Sequence, residues 1–160
     1  MGDRASLRMH VLEFLRAGHA HVTFDDAVKG LPVALRGKRV RGAPYSAWEL
    51  VEHIRIAQRD ILDYSRNTDG SYKSKQWPAD YWPSRPAPPS AKAWDTSLRA
   101  IRKDRRAMER MIMNPRADLF APFPWGDGQT LLREALLIAD HNSYHIGQIL
   151  LLRRLLSVWR

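Results

Sequence analysis

The stretch ADHNSYHIGQILLLRRLL, residues 139–156, carries two histidines, His141 and His145, four positions apart. Four residues is slightly more than one helical turn, so both rings project from the same face of a helix. The sequence is apolar nearly all round from Leu131 to Leu156, which predicts the most buried helix of the protein. Because two imidazoles one turn apart can hold one metal ion, this helix is also the first candidate for a functional site.

Three further stretches show helical periodicity, and the sequence has no convincing strand alternation. The first predicted helix covers residues 6–18, with Ser6 as its N-cap and Gly18 as its C-cap. The second covers residues 46–66 and opens with the capping-box sequence SAWE, and the third covers residues 90–113 behind a serine N-cap. The fourth is the histidine helix, which follows the N-cap Thr130. We therefore expect an all-α protein.

A long connection, residues 67–89, separates the second and third predicted helices. It is rich in proline and serine and includes the aromatic residues Trp77, Tyr81 and Trp82, which argue that it packs against the helices. A connection of this length is unusual inside a compact domain, and it can cross a whole bundle. It therefore allows the second and third helices to run parallel. We expect a four-helix bundle in up-down-down-up order, with the long crossover between helices 2 and 3.

Composition narrows the range of functions. A length of 160 residues suits one compact domain, which we expect to span residues 1–160. Cysteine is absent, which excludes disulfides, cysteine-ligated zinc sites and a cysteine nucleophile. No run of apolar residues predicts a membrane span or a signal peptide, so we expect no membrane association and a cytoplasmic location. The net charge of +9 favours anionic partners, but no nucleic-acid-binding motif accompanies it, so we do not expect a nucleic-acid partner.

A third histidine, His53, lies on the apolar stripe of the second predicted helix. Rings from two facing helices can converge in a bundle core, where three neutral imidazoles suit zinc, nickel, iron or copper and leave coordination positions open. Each ring could instead be a core histidine hydrogen-bonded to its neighbours, but all three on inward stripes favour a metal site. Asn142 stands where a zinc protease carries its glutamate base, so that mechanism is not supported. Glu134, two turns earlier, could be a ligand or a base, and we interpret it as a first-turn residue favoured by the helix dipole.

The histidine in WELVEHIRIAQ, the segment HNSYHIGQI and the long connection together resemble the DinB/YfiT-like superfamily over almost the whole chain. The pattern H-x-x-x-H-x-G-Q is the most specific part of this resemblance. It implies an up-down-down-up bundle with a metal site at His53, His141 and His145 that holds zinc, nickel or iron. Relatives include thiol-S-transferases that use bacillithiol, mycothiol-dependent isomerases and hydrolase-like proteins, and several are dimers. This sequence carries no recognisable thiol-binding signature of any subfamily.

Two hypotheses about function follow. The first is a metal-dependent transferase or hydrolase, in which the ion activates a water or a low-molecular-weight thiol towards a small-molecule substrate. No catalytic residue is assigned. Aromatic residues of the connection, with Trp48 or Trp125, could wall its cleft, and Lys38, Arg39 and Arg41 could attract an anion, although packing and surface positions are their ordinary roles. The second hypothesis is a non-catalytic metal-binding bundle with a role in stress response. In either case the resemblance makes a homodimer an expectation.

Overall fold

The computed structural model describes residues 3–16 and 20–159. Within these ranges the regular structure is helical, which confirms the all-α prediction. The helices are α1 (Asp3–Arg16), α2 (Phe24–Val28), α3 (Ala47–Ser65), α4 (Ala91–Met113) and α5 (Leu131–Leu155), with short 3₁₀ turns at Val33–Leu35 and Ala79–Tyr81. The predicted C-cap Gly18 lies outside the described residues.

The N-caps of the three long inner helices were readable from the sequence. The Ser46 hydroxyl accepts the Glu49 amide at 3.2 Å and the Glu49 carboxylate accepts the Ser46 amide at 2.8 Å, a complete capping box. The hydroxyls of Ser90 and Thr130 accept the amides of Ala93 and Arg133 and so cap α4 and α5. The first predicted helix is present as α1, but its predicted start was wrong, because Ser6 lies one turn inside a helix that begins at Asp3. The apolar stripe starts only at residue 7, so the polar first turn carried no periodic signal.

Contacts between α3 and α4 show that these two helices run in the same direction. Near their N-termini the rings of Trp48 and Trp94 lie 6.4 Å apart. Further along both helices, the Gln58 side-chain amide donates to the carbonyl of Ile101 at 2.8 Å. The connection between the two helices must therefore return along the bundle, as the predicted crossover requires.

The other two long helices, α1 and α5, run antiparallel to α3 and α4. His53 of α3 contacts His145 of α5, and the N-terminal half of α3 lies against the C-terminal half of α5. On α1, Arg16 pairs with Glu109 of α4 at 3.1 Å, and the earlier Arg8 reaches the end of α4 at Ile112. The contacts therefore match the directions of an up-down-down-up order. Among the described residues, no helix is long and apolar enough to cross a lipid bilayer.

Two separate hydrophobic clusters fill the interior. One contains Trp48, Ile54, Trp94 and Ile149, and the other contains Leu12, Leu62, Met108 and Ile138. Between them, α3, α4 and α5 each contribute polar side chains that are buried or half-buried. This polar layer comprises His53, Gln58, Asp104, His141, Asn142 and His145. Since buried polar groups are costly unless they are paired, the layer is the part of the interior that calls for a functional explanation.

The long connection packs against the bundle. Trp82 stacks on Tyr45 with ring centroids 3.9 Å apart, whereas Trp77 remains 70% exposed. At Gly37, an added Cβ would lie 2.3 Å from the Cβ of Ala87, so only glycine allows the preceding loop to approach the connection this closely. The predicted packing of the aromatic residues is therefore correct, since even the exposed Trp77 has its ring centroid 6.3 Å from that of His53.

Candidate metal centre

The three predicted histidines meet in the polar layer. The Nε2 atoms of His53 and His141 lie 3.0 Å apart, and one nitrogen from each of His53, His141 and His145 lies within 4.8 Å of the others. His53 and His145 are buried, and His141 is partly buried. Two nitrogens bound to one tetrahedral metal at about 2.0–2.1 Å are roughly 3.3 Å apart, so the spacing of the first pair requires only a small adjustment.

The long connection fixes the ring of His53. Its Nδ1 donates to the backbone carbonyl of Tyr81 at 2.9 Å, and its ring lies parallel to that of Trp82 with centroids 4.0 Å apart. Tyr81 is itself held by its hydroxyl, which donates to the Asp60 carboxylate of α3 at 2.5 Å. Because a carbonyl can only accept, Nδ1 of His53 carries the proton and Nε2 presents its lone pair to the other two histidines.

His145 is oriented from within its own helix. Its Nδ1 donates to the side-chain oxygen of Gln148 at 2.7 Å, three residues further along α5. This hydrogen bond leaves Nε2 of His145 with a free lone pair on the side of His53 and His141. The glutamine of the H-x-x-x-H-x-G-Q pattern therefore has a physical role, since it sets which nitrogen of His145 can bind an ion.

A chain of side-chain amides approaches His141. The Gln58 amide donates to the Ile101 carbonyl, so its oxygen is the acceptor that receives the Asn142 amide at 2.9 Å. The oxygen of Asn142 must then face the other way. This oxygen and Nδ1 of His141 are both buried and have no hydrogen-bond partner. They form a complementary acceptor and donor if His141 keeps its proton on Nδ1 and offers Nε2 to a metal.

Burial keeps all three imidazoles neutral. Desolvation, with smaller contributions from the nearby His145 and His53, lowers the pKa of His141 to about 4. Desolvation also lowers the pKa of His53 and of His145. Neutral imidazoles with lone pairs turned inward are the ligands that zinc, nickel and iron accept from nitrogen donors. The three imidazoles therefore fit a divalent ion. The unpartnered Nδ1 of His141 and Oδ1 of Asn142 agree with this, because a hydrogen bond between them would turn Nε2 of His141 towards the ion.

A cleft of about 330 Å³ reaches this cluster. His53 and His141 form part of its wall, and Trp77 and Tyr81 of the connection line it as well. The other lining residues are Ala57, Asp60, Ile61, Tyr64, Tyr72, Gln129, Arg133, Glu134 and Leu137. Glu134 is 2% exposed and lies in the cleft wall rather than in the group formed by the three histidines. A molecule in this cleft can therefore approach the open side of the histidine cluster.

Several other sequence candidates lie away from the cleft. Trp48 belongs to a hydrophobic cluster, and the indole of Trp125 donates to the Tyr64 carbonyl, so neither lines the cleft. The basic residues Lys38, Arg39 and Arg41 do not line it either, and Arg39 forms an ion pair with Glu49. These residues have the packing and surface roles that the sequence analysis gave as ordinary.

The chain matches a known protein family. The family model of the DinB superfamily matches residues 5–149, a range that includes all three histidines. The chain belongs to the DinB superfamily. Comparison with curated proteins and with solved structures gives no match. The resemblance seen in the histidine motifs is thereby confirmed.

In this DinB-superfamily chain, the residues whose hydrogen bonds support the histidines were not predicted from the sequence. Gln58 is 1% exposed, and its position inside an otherwise buried stretch of α3 is a signal that could have identified it. Asn142 was noted only for the glutamate it replaces, although it links Gln58 to the histidine region. Asp60 and Tyr72 offered no such signal, because the hydrogen bond between them depends on how the connection folds back.

Proposed function

We propose that this DinB-superfamily protein is a metal-dependent enzyme in which His53, His141 and His145 hold one divalent ion, either zinc, nickel or iron. One observation carries this proposal: three neutral imidazoles converge at the wall of an open cleft. A bound ion of this kind lowers the pKa of a coordinated water or thiol and so supplies a nucleophile near neutral pH. Because the chain has no cysteine, a thiol would have to come from a low-molecular-weight cosubstrate.

The protein's own residues would orient the site and keep it dry. Tyr81 and Trp82 fix the ring of His53, and Gln148 fixes that of His145, so their lone pairs are aimed before any ion arrives. The apolar side chains of Ile61 and Leu137 line the cleft and would exclude water from that part of it. A substrate would therefore meet the reactive group in surroundings of low polarity.

The cleft also favours catalysis over a purely structural metal. A structural zinc site is closed by four protein ligands, whereas a catalytic site keeps a position open. Among the described residues, the only group of His, Asp and Glu side chains placed to hold an ion consists of the three histidines. Three ligands and an adjoining cleft leave room for water or substrate. A non-catalytic metal-binding bundle would instead be supported by a fourth protein ligand in the metal-loaded protein.

Metal analysis of natively purified protein tests the site. We expect about one divalent ion per chain, and we expect His141→Ala to lose it. His10→Ala is the matched control, since the side chain of His10 is 69% exposed on α1, and it should retain the ion. Retention of a stoichiometric ion by His141→Ala would contradict the proposal. A second assay distinguishes thiol transfer from hydrolysis. It measures transfer to an electrophilic substrate with bacillithiol, mycothiol or glutathione as the cosubstrate.

We propose one domain over residues 1–160, a cytoplasmic location and a homodimer. Light scattering during gel filtration measures the mass in solution, and a mass near that of the 18.5 kDa chain would contradict the dimer.

A further inference from the structure

The end of the cleft away from the histidines carries two opposite charges. Arg133 and Glu134, in the first turn of α5, both line the cleft and form an ion pair with each other. The Arg133 side chain is 56% exposed, whereas that of Glu134 is 3% exposed. The cleft therefore offers a cation at its mouth and a carboxylate in its wall, close to each other.

The neighbours of this pair are packed closely. The Tyr64 hydroxyl donates to the side-chain oxygen of Gln129 at 3.0 Å, and the same oxygen accepts the Asp127 amide at 2.7 Å. At Gly126, an added Cβ would lie 2.2 Å from the Tyr64 hydroxyl, so this loop has no room for a side chain there. Tyr64 and Gln129 also line the cleft, which makes its far end a constructed polar surface rather than a gap between side chains.

The pair acts electrostatically on Tyr64. Burial raises the pKa of Tyr64, the negative charge of Glu134 raises it further, and Arg133 acts in the opposite direction. Both charges therefore act at the tyrosine hydroxyl inside the cleft. They are not confined to the outer surface of α5.

Stabilisation of the helix dipole does not explain the burial of Glu134. A glutamate in the first turn stabilises a helix equally well from solvent, where its carboxylate keeps its hydration. Removing the carboxylate from water has a cost that one partly exposed arginine offsets incompletely. A ligand with a positive group would therefore reduce the desolvation cost of the Glu134 carboxylate.

We propose that Arg133 and Glu134 form a binding subsite for the zwitterionic α-amino acid group of a small molecule. The ligand carboxylate would pair with Arg133 and the ligand ammonium with Glu134. A ligand with a single negative charge would be repelled by Glu134, and one with a single positive charge would be repelled by Arg133. Only a group carrying both charges complements the pair without leaving either one uncompensated.

The rest of the cleft indicates the body of this ligand. Glu134 and His141 are seven positions apart on α5, which corresponds to a rise of about 10 Å along the helix. Between these two ends the walls are aromatic and aliphatic, including Ile61, Trp77 and Leu137. We infer a ligand with an apolar or aromatic body of this length. Its other end would lie at the histidine cluster, and this orientation rests on the proposed function.

Three probes with the same aromatic body separate the possibilities. L-Phenylalanine carries both charges, 3-phenylpropionate carries only the carboxylate, and 2-phenylethylamine carries only the ammonium. Affinities are measured by NMR titration on metal-free and metal-loaded protein, since the subsite does not require the ion. We expect L-phenylalanine to bind at least about tenfold more tightly than either singly charged probe, in both forms of the protein.

Two variants assign the charges, and one controls for net charge. Arg133→Gln should weaken L-phenylalanine binding and remove the advantage of L-phenylalanine over the amine. Glu134→Gln should weaken it and remove the advantage over the carboxylate. Arg106→Gln, at an exposed position of α4 outside the cleft, should change neither. Circular dichroism shows whether each variant is folded.

Three results would overturn the subsite. These are equal binding of 3-phenylpropionate and L-phenylalanine, discrimination that survives Glu134→Gln in the folded variant, and binding of none of the probes. Metal content is measured on the same samples. A normal metal content without discrimination refutes the subsite alone, whereas discrimination without metal binding refutes the metal centre alone.

Discussion

Replacement of Gln58 by methionine tests whether the polar layer holds His141. Gln58 donates to the Ile101 carbonyl and accepts from Asn142, so it joins all three inner helices. Methionine has a similar length and volume and makes neither hydrogen bond. The change therefore removes the interactions and leaves the packing nearly unaltered.

The expected magnitude follows from what each partner loses. The Ile101 carbonyl lies inside α4 and keeps its helical hydrogen bond, so its loss is small. Asn142 loses the hydrogen bond that its side-chain amide makes, and the free energy of unfolding should fall by about 1–3 kcal/mol in total. Without this anchor Asn142 can rotate its oxygen away from His141. Loss of such an indirect support typically weakens metal binding about 10–100-fold.

Two measurements on the same protein check this reasoning. Urea unfolding gives the free energy, and competition with a chelator gives the metal dissociation constant. Gln76→Met, the same substitution at an exposed position of the connection, is the control and should change neither. If Gln58→Met is destabilised as expected but binds metal with unchanged affinity, Asn142 does not orient His141. If stability is also unchanged, the polar layer contributes nothing to the fold.

Two further predictions concern stability. The pKa of His141 falls to about 4 from an ordinary value near 6.5, so the unfolded chain binds a proton first as the pH is lowered. Metal-free protein should therefore be most stable above pH 7. Its free energy of unfolding should fall by about 1–3 kcal/mol between pH 6.5 and pH 4. Urea unfolding at several pH values checks this, and a flat profile would refute it. Arg153, which is 6% exposed, donates to the carbonyls of Ala27 and Lys29 at the end of α2, so Arg153→Met should lower the free energy of unfolding by about 2–4 kcal/mol. The neighbouring exposed Arg154→Met should have almost no effect, and equal losses in the two variants would show that the carbonyl contacts are unimportant.

Local sequence chemistry predicted much of the helical framework. The N-caps Ser46, Ser90 and Thr130 depend on side chains only three residues away, so their signal is complete in the sequence. The spacing of His141 and His145 determines their shared face for the same reason. Periodicity also placed His53 on an inward stripe, which was enough to predict that the three rings could meet.

The supports of the site could not be predicted in this way. Asp60 and Tyr81 are neighbours only because the connection folds back onto α3, and no periodic pattern encodes that path. No local pattern distinguishes Arg153 from the exposed Arg154 beside it, but the Arg153 guanidinium is buried against the end of α2. Glu134 had an adequate explanation in the helix dipole, which concealed its position in the cleft. Long-range contacts decide each of these cases, and local patterns do not record them.

Tyr81 contacts both the histidine cluster and the cleft. Its carbonyl accepts a hydrogen bond from Nδ1 of His53, its hydroxyl donates to Asp60, and the residue lines the cleft. A ligand that packs against Tyr81 and an ion that is bound by His53 therefore act on the same backbone segment. Thermodynamic linkage requires that each change the affinity of the other by the same factor. If the ion and a cleft ligand bind as proposed, any coupling that Tyr81 gives them is reciprocal, and its size can be measured from either side.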